Sequence, residues 1–64
     1  MKPNKIKSLL IMAEIKQKTL AEELDVTFGT VSRVISRQTT SKRIREHIAN
    51  RLQLPYERVW GKAA

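Results

Sequence analysis

The sequence predicts an all-α fold, a compact domain of four to five helices, and three observations predict it. Hydrophobic residues make up 41% of the chain and recur at three- and four-residue intervals, the repeat of a helix with one buried side. β-branched residues form no long alternating runs of the kind a half-buried strand needs. Two glycines (Gly29, Gly61) and two prolines (Pro3, Pro55) allow few sharp turns, which suits short helices rather than a sheet. With 64 residues, one domain spanning 1–64 is expected, near the lower size limit for a single core. The lack of cysteine leaves neither a disulfide framework nor a thiolate metal site to propose.

Pro3 or Asn4 starts a first helix running to about Ile15, with Ile6, Leu9, Leu10 and Ala13 inward and Lys5 and Lys7 on the wet side. Thr19 followed by Glu22 has the form of a capping box opening a second helix. Leu20, Ala21 and Leu24 face inward there, and the small Ala21 admits a close neighbour. Asp25-Val26 is the turn, since Asp tolerates left-handed backbone angles better than most residues with a side chain. Thr27 is a good N-cap for a third helix from Phe28 to about Ser36. Val31, Val34 and Ile35 form its buried side, leaving Phe28, Gly29, Ser32 and Arg33 outward. After the polar connection at 37–40, Ser41 caps a fourth helix from Lys42 to about Leu52. Ile44, Ile48 and Leu52 face inward; Arg43, Arg45, Glu46 and Arg51 face outward. Leu54-Pro55 breaks that helix, and Pro55 suits the first position of a short closing helix through Trp60. Val59 and Trp60 cover the bottom of the core, and Gly61 stops the segment.

The net charge is +7, and its distribution matters more than its sum. Four of the six acids, Glu14, Glu22, Glu23 and Asp25, precede residue 26. Residues 26–45 contain no acid but carry Arg33, Arg37, Lys42, Arg43 and Arg45. Such a block is either an ordinary solvated face or the electrostatic footprint of a nucleic-acid partner; with a pI near 10.4 the second reading is preferred. The apolar stretch at 9–13 is too short for a signal peptide and is followed by Glu14, Lys16 and Lys18; nothing approaches a membrane span. A cytoplasmic protein is expected. His47, the one histidine, lies beside the Ile44/Ile48 stripe and reads as a partly buried structural residue. It has no second histidine or cysteine for a metal, no Ser-His-acid set can be assembled, and there is no glycine-rich phosphate loop. No enzyme, catalytic residue, metal or cofactor is expected.

The segment 19–35 resembles a helix-turn-helix of the lambda-repressor-like (XRE-type) superfamily. The likeness rests on the pair Leu20-Ala21, the turn at Asp25, and the three aliphatics Val31, Val34 and Ile35. Val26-Thr27-Phe28-Gly29-Thr30-Val31-Ser32-Arg33-Val34-Ile35 is also similar to the recognition helix of Lac-repressor-type regulators, which read Val-Ser-aromatic-X-Thr-Val-Ser-Arg-Val. The fourth helix and the Leu54-Pro55…Val59-Trp60 ending resemble small phage repressors and Ner-type regulators of transposing phages. The likeness covers residues 6–60, with the motif at about 17–36. In the family register the second helix starts back at Gln17 rather than at the Thr19 box. Two departures matter: Asp25 stands where a turn glycine is usual, and the hinge helix and sugar-binding domain of Lac-type regulators are absent, so no small-molecule inducer is implied.

The resemblance implies a sequence-specific double-stranded DNA-binding transcription regulator, a phage or prophage repressor, with a recognition helix at about 28–36 in the major groove. Base contacts are expected from Phe28, Gly29, Ser32 and Arg33. The Arg33 fork matches the O6 and N7 acceptors of guanine; the alternatives are a phosphate contact or a surface salt bridge with Glu22 or Glu23. Phe28 would meet a thymine methyl, unless it packs under the turn as a core residue. Gly29, unfavourable in a helix by about 0.5–1 kcal/mol relative to Ala, suggests close approach of backbone to DNA. Ser32 suits a base or a phosphate. Gln17, Thr27 and Thr30 are phosphate donors by resemblance, with Arg37, Lys42 and Arg43 flanking the groove. Lys16 and Lys18 are either phosphate contacts or solvated; Arg45, Arg51 and Arg58 are left to solvent or to local pairs such as one with Glu57. A homodimer on operator half-sites is expected, through the 54–60 end or through Ile11 and Met12. Two alternatives stand beside this reading. One is a DNA-bending or recombination-directing factor. The other is an antitoxin-type protein-interaction module, which needs a partner-binding tail where only Gly61-Lys62-Ala63-Ala64 follows the last helix.

Overall fold

The computed structural model describes residues 1–61. Lys62, Ala63 and Ala64, which entered the argument about a partner-binding tail, lie outside the described residues. Five helices account for the fold: α1 (Pro3–Met12), α2 (Gln17–Leu24), α3 (Phe28–Ile35), α4 (Lys42–Arg51) and α5 (Tyr56–Trp60), with no strand among the described residues. The domain is all-α, at the upper end of the expected helix count. α3 is central: it packs against α1, α2 and α4, while α4 also carries α5. No polar or charged residue is fully buried among the described residues, so the core residues are all apolar, with single polar atoms such as Gln17 Oε1 and Arg45 Nε buried at its edge.

The helix ends follow one device used four times. Glu14, Asp25, Arg37 and Gln53 sit in left-handed backbone at φ 59, 57, 63 and 58°. In each case the following amide donates back five residues: Ile15 to Leu10, Val26 to Ala21, Gln38 to Arg33 and Leu54 to Ala49, at 2.8–3.0 Å. These are Schellman closures, which satisfy carbonyls that the helix end leaves open. Ile15, Val26 and Leu54, the residues just beyond, turn back onto the core and anchor three of the four closures, while Gln38 after Arg37 is exposed. Asp25 behaves as expected at the turn between α2 and α3. Gly61 ends α5 in a different backbone conformation, at φ 86° and ψ 172°.

A side chain at a left-handed position costs about 1–2 kcal/mol, and glycine avoids that cost while adding about 0.5–1 kcal/mol of unfolded-state freedom. Glu14 is exposed and forms no ion pair among the described residues. Glu14→Gly is therefore expected to stabilise the fold by about 0.5–1 kcal/mol, raising the thermal midpoint by roughly 2–8 °C. An unchanged or lowered midpoint in a calorimetric scan would refute that accounting.

Several sequence expectations are corrected. α1 ends at Met12, not Ile15, because the chain reverses through Glu14 and brings Ile15 into the core from outside the helix. Ala13 is consequently exposed, and Leu9, about 60° around the helix from Ile6, is only half-buried. The Thr19/Glu22 capping box does not form. α2 opens at Gln17 with Lys16 as its N-cap and no side-chain cap, the start that the family register implies. α3 stops at Ile35 with Ser36 as C-cap, α4 stops at Arg51 with Leu52 half-buried, and Pro55 is the N-cap of α5 rather than its first residue. Thr27 and Ser41 cap as expected, accepting from the amides of Thr30 at 3.2 Å and Ile44 at 3.4 Å. Arg45, left to solvent or to a local pair, instead lays its guanidinium 5.0 Å from the centre of the Trp60 ring. Its carbonyl accepts the indole N–H of Trp60 at 2.8 Å.

Two polar ties brace the helices. The Met1 amino group donates to the Val59 carbonyl at 2.9 Å, and Arg37 Nη2 donates to the Met1 carbonyl at 2.7 Å, linking the end of α3 to α5. Between α2 and α4, Glu23 meets His47 Nε2 at 2.7 Å and forms an ion pair with Arg51 Nε at 3.1 Å. His47 is thus a half-buried structural residue, and Arg51 is tied rather than free. Hydrogen bonding from His47, with the charges of Arg51 and His47 behind it, holds the Glu23 carboxyl below its usual 4.5 against partial desolvation. A carboxylate with a depressed folded pKa contributes stability above its unfolded pKa, and that contribution is lost as pH falls through the folded value. Wild type is expected to be more stable than Glu23→Gln at neutral pH, with the gap closing below pH 4.5 in thermal melts. A gap of constant size would show that the charge contributes nothing.

Candidate nucleic-acid interface

Helical geometry divides α3 sharply. At about 100° per residue, Val31, Val34 and Ile35 cluster on one side and are each 0% exposed. Gly29 and Arg33 lie opposite that cluster, four residues apart and both exposed. Ser32 stands at the edge of the outer face, while Phe28, about 20° around the helix from Ile35, is open because it is the first residue of α3. Phe28 is 55% exposed, so the alternative of a core residue under the turn is not what the fold adopts. Ser32 is half-buried.

Neither member of the outermost pair has work in the fold. A Cβ built on Gly29 would meet only Thr27 Oγ1, at 3.9 Å, so packing does not demand glycine there. Arg33 forms no ion pair among the described residues: Glu22 is exposed, and Glu23 is engaged by His47 and Arg51. Gly29 leaves the outer stripe of α3 without a side chain one turn before Arg33.

The phosphate candidates fall into three groups. Thr27 and Thr30 share a hydroxyl–hydroxyl hydrogen bond of 2.9 Å at the start of α3, next to amides with no acidic partner in the first turn. Gln17, the first residue of α2, is half-buried, and its Oε1 is buried with no hydrogen-bond partner. The Lys42 side chain is 80% exposed and stands 3.9 Å from Glu46, a separation that adds little at the surface. Arg37 already donates to Met1, as described above. Arg43 Nη2 donates to the Leu24 carbonyl at 2.7 Å, capping the end of α2 from α4. Both arginines remain exposed and keep further N–H groups, yet each also has a structural duty that the sequence did not reveal.

The first turn of α4 carries Lys42 and Arg43, and no acid. Cations there oppose the helix dipole, which favours negative charge by about 0.3–1 kcal/mol per residue. Together with the acid-free stretch 26–45, this makes the start of α4 and the outer face of α3 attractive to an anion at some expense to the fold. Among the described residues no three His, Asp or Glu side chains are grouped to hold a metal ion, and no helix is long and apolar enough to cross a membrane. Comparison of the chain with models of protein families, with curated proteins and with solved structures found no match.

Proposed function

We propose that the chain is a sequence-specific double-stranded DNA-binding transcription regulator of the phage-repressor type, acting in the cytoplasm, that inserts the outer face of α3 into a major groove. One observation carries the reading: Gly29 and Arg33 occupy the outermost stripe of a rigid, capped helix, and the fold uses neither. In this role Arg33 meets guanine through its planar fork, Phe28 meets a thymine methyl, and Gly29 lets the helix surface come close. Lys42, the Thr27/Thr30 pair and Gln17 hold the register on phosphates, with the remaining donors of Arg37 and Arg43 at the flanks. The role is binding rather than catalysis: regulation follows from occupying an operator and excluding polymerase. A single module of this size covers only about 600–1,000 Å² of DNA-facing surface, so two protomers on neighbouring half-sites are proposed.

Binding-site selection on random duplexes tests the reading. A defined consensus, with a complex whose mass fits two chains, supports a sequence-specific regulator. Strong bending without a consensus would replace it with an architectural factor. No retention of duplex at low salt would overturn DNA binding altogether.

A further inference from the structure

The three exposed large hydrophobic side chains among the described residues are Ile11, Met12 and Phe28, at 75, 79 and 55% exposure. Ile11 and Phe28 line a single groove of about 620 Å³ between the end of α1, the start of α2 and the first residue of α3, and Met12 adjoins it in sequence. Leu10 and Ile15, both buried, also line it and give it an apolar floor continuous with the core. Lys7 and Lys16 stand on its lining against one acid, Glu14. Gln17, also on the lining, contributes the buried Oε1 that lacks a donor.

Burial of such side chains in a partner is favourable, and an exposed apolar group rimmed by charge marks an interaction surface. The occupant follows from the charges. A second copy would bring the same two lysines and a net charge of +7, so self-docking is opposed electrostatically. Nucleic acid offers phosphates to Lys7 and Lys16 but nothing to cover Ile11 and Met12. An amphipathic helix with carboxylates beside its apolar stripe satisfies both, its side chains at three- and four-residue spacing filling the groove.

We propose that this groove docks an acidic amphipathic helix of another protein. Phe28 and Gln17 belong both to the groove and to the proposed DNA face, so the docked helix displaces DNA and relieves repression; that consequence, unlike the docking itself, rests on the DNA-binding reading.

The test is a display selection of random 16-residue peptides on the full chain without DNA, followed by titration of the enriched peptides. Enriched sequences are expected to combine Asp or Glu with apolar residues at helical spacing. Ile11→Ser with Met12→Ser should weaken their binding about tenfold or more, and Lys7→Glu with Lys16→Glu about fivefold or more. Ile11, Met12 and Lys16 are exposed and Lys7 is half-buried, and unchanged thermal midpoints would verify that these variants fold. No enrichment, basic consensus peptides, or affinity indifferent to all four substitutions overturns the proposal. So does self-association of the chain that Ile11→Ser abolishes, since the occupant would then be a second copy. Competition with the selected duplex is measured separately. If no duplex is bound, the regulator reading fails while the docking result stands. A bound peptide that leaves duplex affinity unchanged overturns the shared site.

Discussion

Arg33→Ala is expected to weaken binding to the selected duplex by about 1–3 kcal/mol, roughly 5- to 150-fold, and to relax preference at one or two base pairs. The expectation follows from the position of Arg33 on α3. It projects from the side opposite Val31, Val34 and Ile35, has no ion-pair partner among the described residues, and shares its outward stripe with Gly29. Because the fold does not use Arg33, the thermal midpoint should hardly move, so lost affinity reports on recognition alone. Arg33→Lys separates fork from charge: it keeps the cation and loses the bidentate geometry, and should recover little of the preference. Lys42→Ala is the contrasting variant. It should weaken all duplexes alike and reduce the slope of log affinity against log salt by about one unit. Lys42 is a cleaner probe than Arg43, whose loss would also uncap the Leu24 carbonyl. If Arg33→Ala instead behaves as Lys42→Ala should, weakening every duplex equally, Arg33 is a phosphate contact and base reading lies elsewhere.

The parts of this fold legible in the sequence are those set by strong local chemistry. Thr27 and Ser41 announce their helices because a hydroxyl at that position has an amide to accept from. Val31, Val34 and Ile35 announce the buried side of α3 because no other face of that helix is apolar. The end of α1 was not legible. Ala13 has the right angular position for the core, and only the left-handed turn at Glu14, a residue with no special liking for it, exposes Ala13 and brings in Ile15. Arg37 and Gln53 conceal two more helix ends in the same way, since a non-glycine Schellman closure leaves little mark in sequence. The capping box at Thr19 misled because its pattern is short, while the true start at Gln17 has no side-chain cap to advertise it.

Within the candidate site the pattern is similar. Gly29 and Arg33 were readable because helical periodicity puts them outward, whereas Phe28, about 20° around the helix from Ile35, was readable only because it directly follows the Thr27 cap. The duties of Arg37, Arg43 and Arg45 were not, since each reaches a carbonyl or ring far along the chain: Met1, Leu24 and Trp60. Long flexible cations find such partners only in three dimensions. A count of positive charges therefore overstates how many are free for an anion, and Lys42 and Arg33 carry more of the electrostatic argument than the +7 total.

Trp60→Ala is expected to be the most damaging single substitution for stability, at about 3–5 kcal/mol. Trp60 is 4% exposed at the end of α5, bonds the Arg45 carbonyl, and lies under the Arg45 guanidinium. A domain of this length has on the order of 3–10 kcal/mol in total, so the loss approaches or exceeds the whole. Far-UV circular dichroism at 25 °C should show much of the helix signal gone, not the five residues of α5 alone, because α5 covers the core from below through Val59, which is 0% exposed. Trp60→Phe discriminates packing from polarity. It keeps a ring over the core but removes the indole N–H, and should cost about 1–2 kcal/mol while leaving a cooperative melt. A Trp60→Ala chain that melts as sharply and as high as wild type would make α5 an appendage, and the cooperative unit would then be α1–α4 alone.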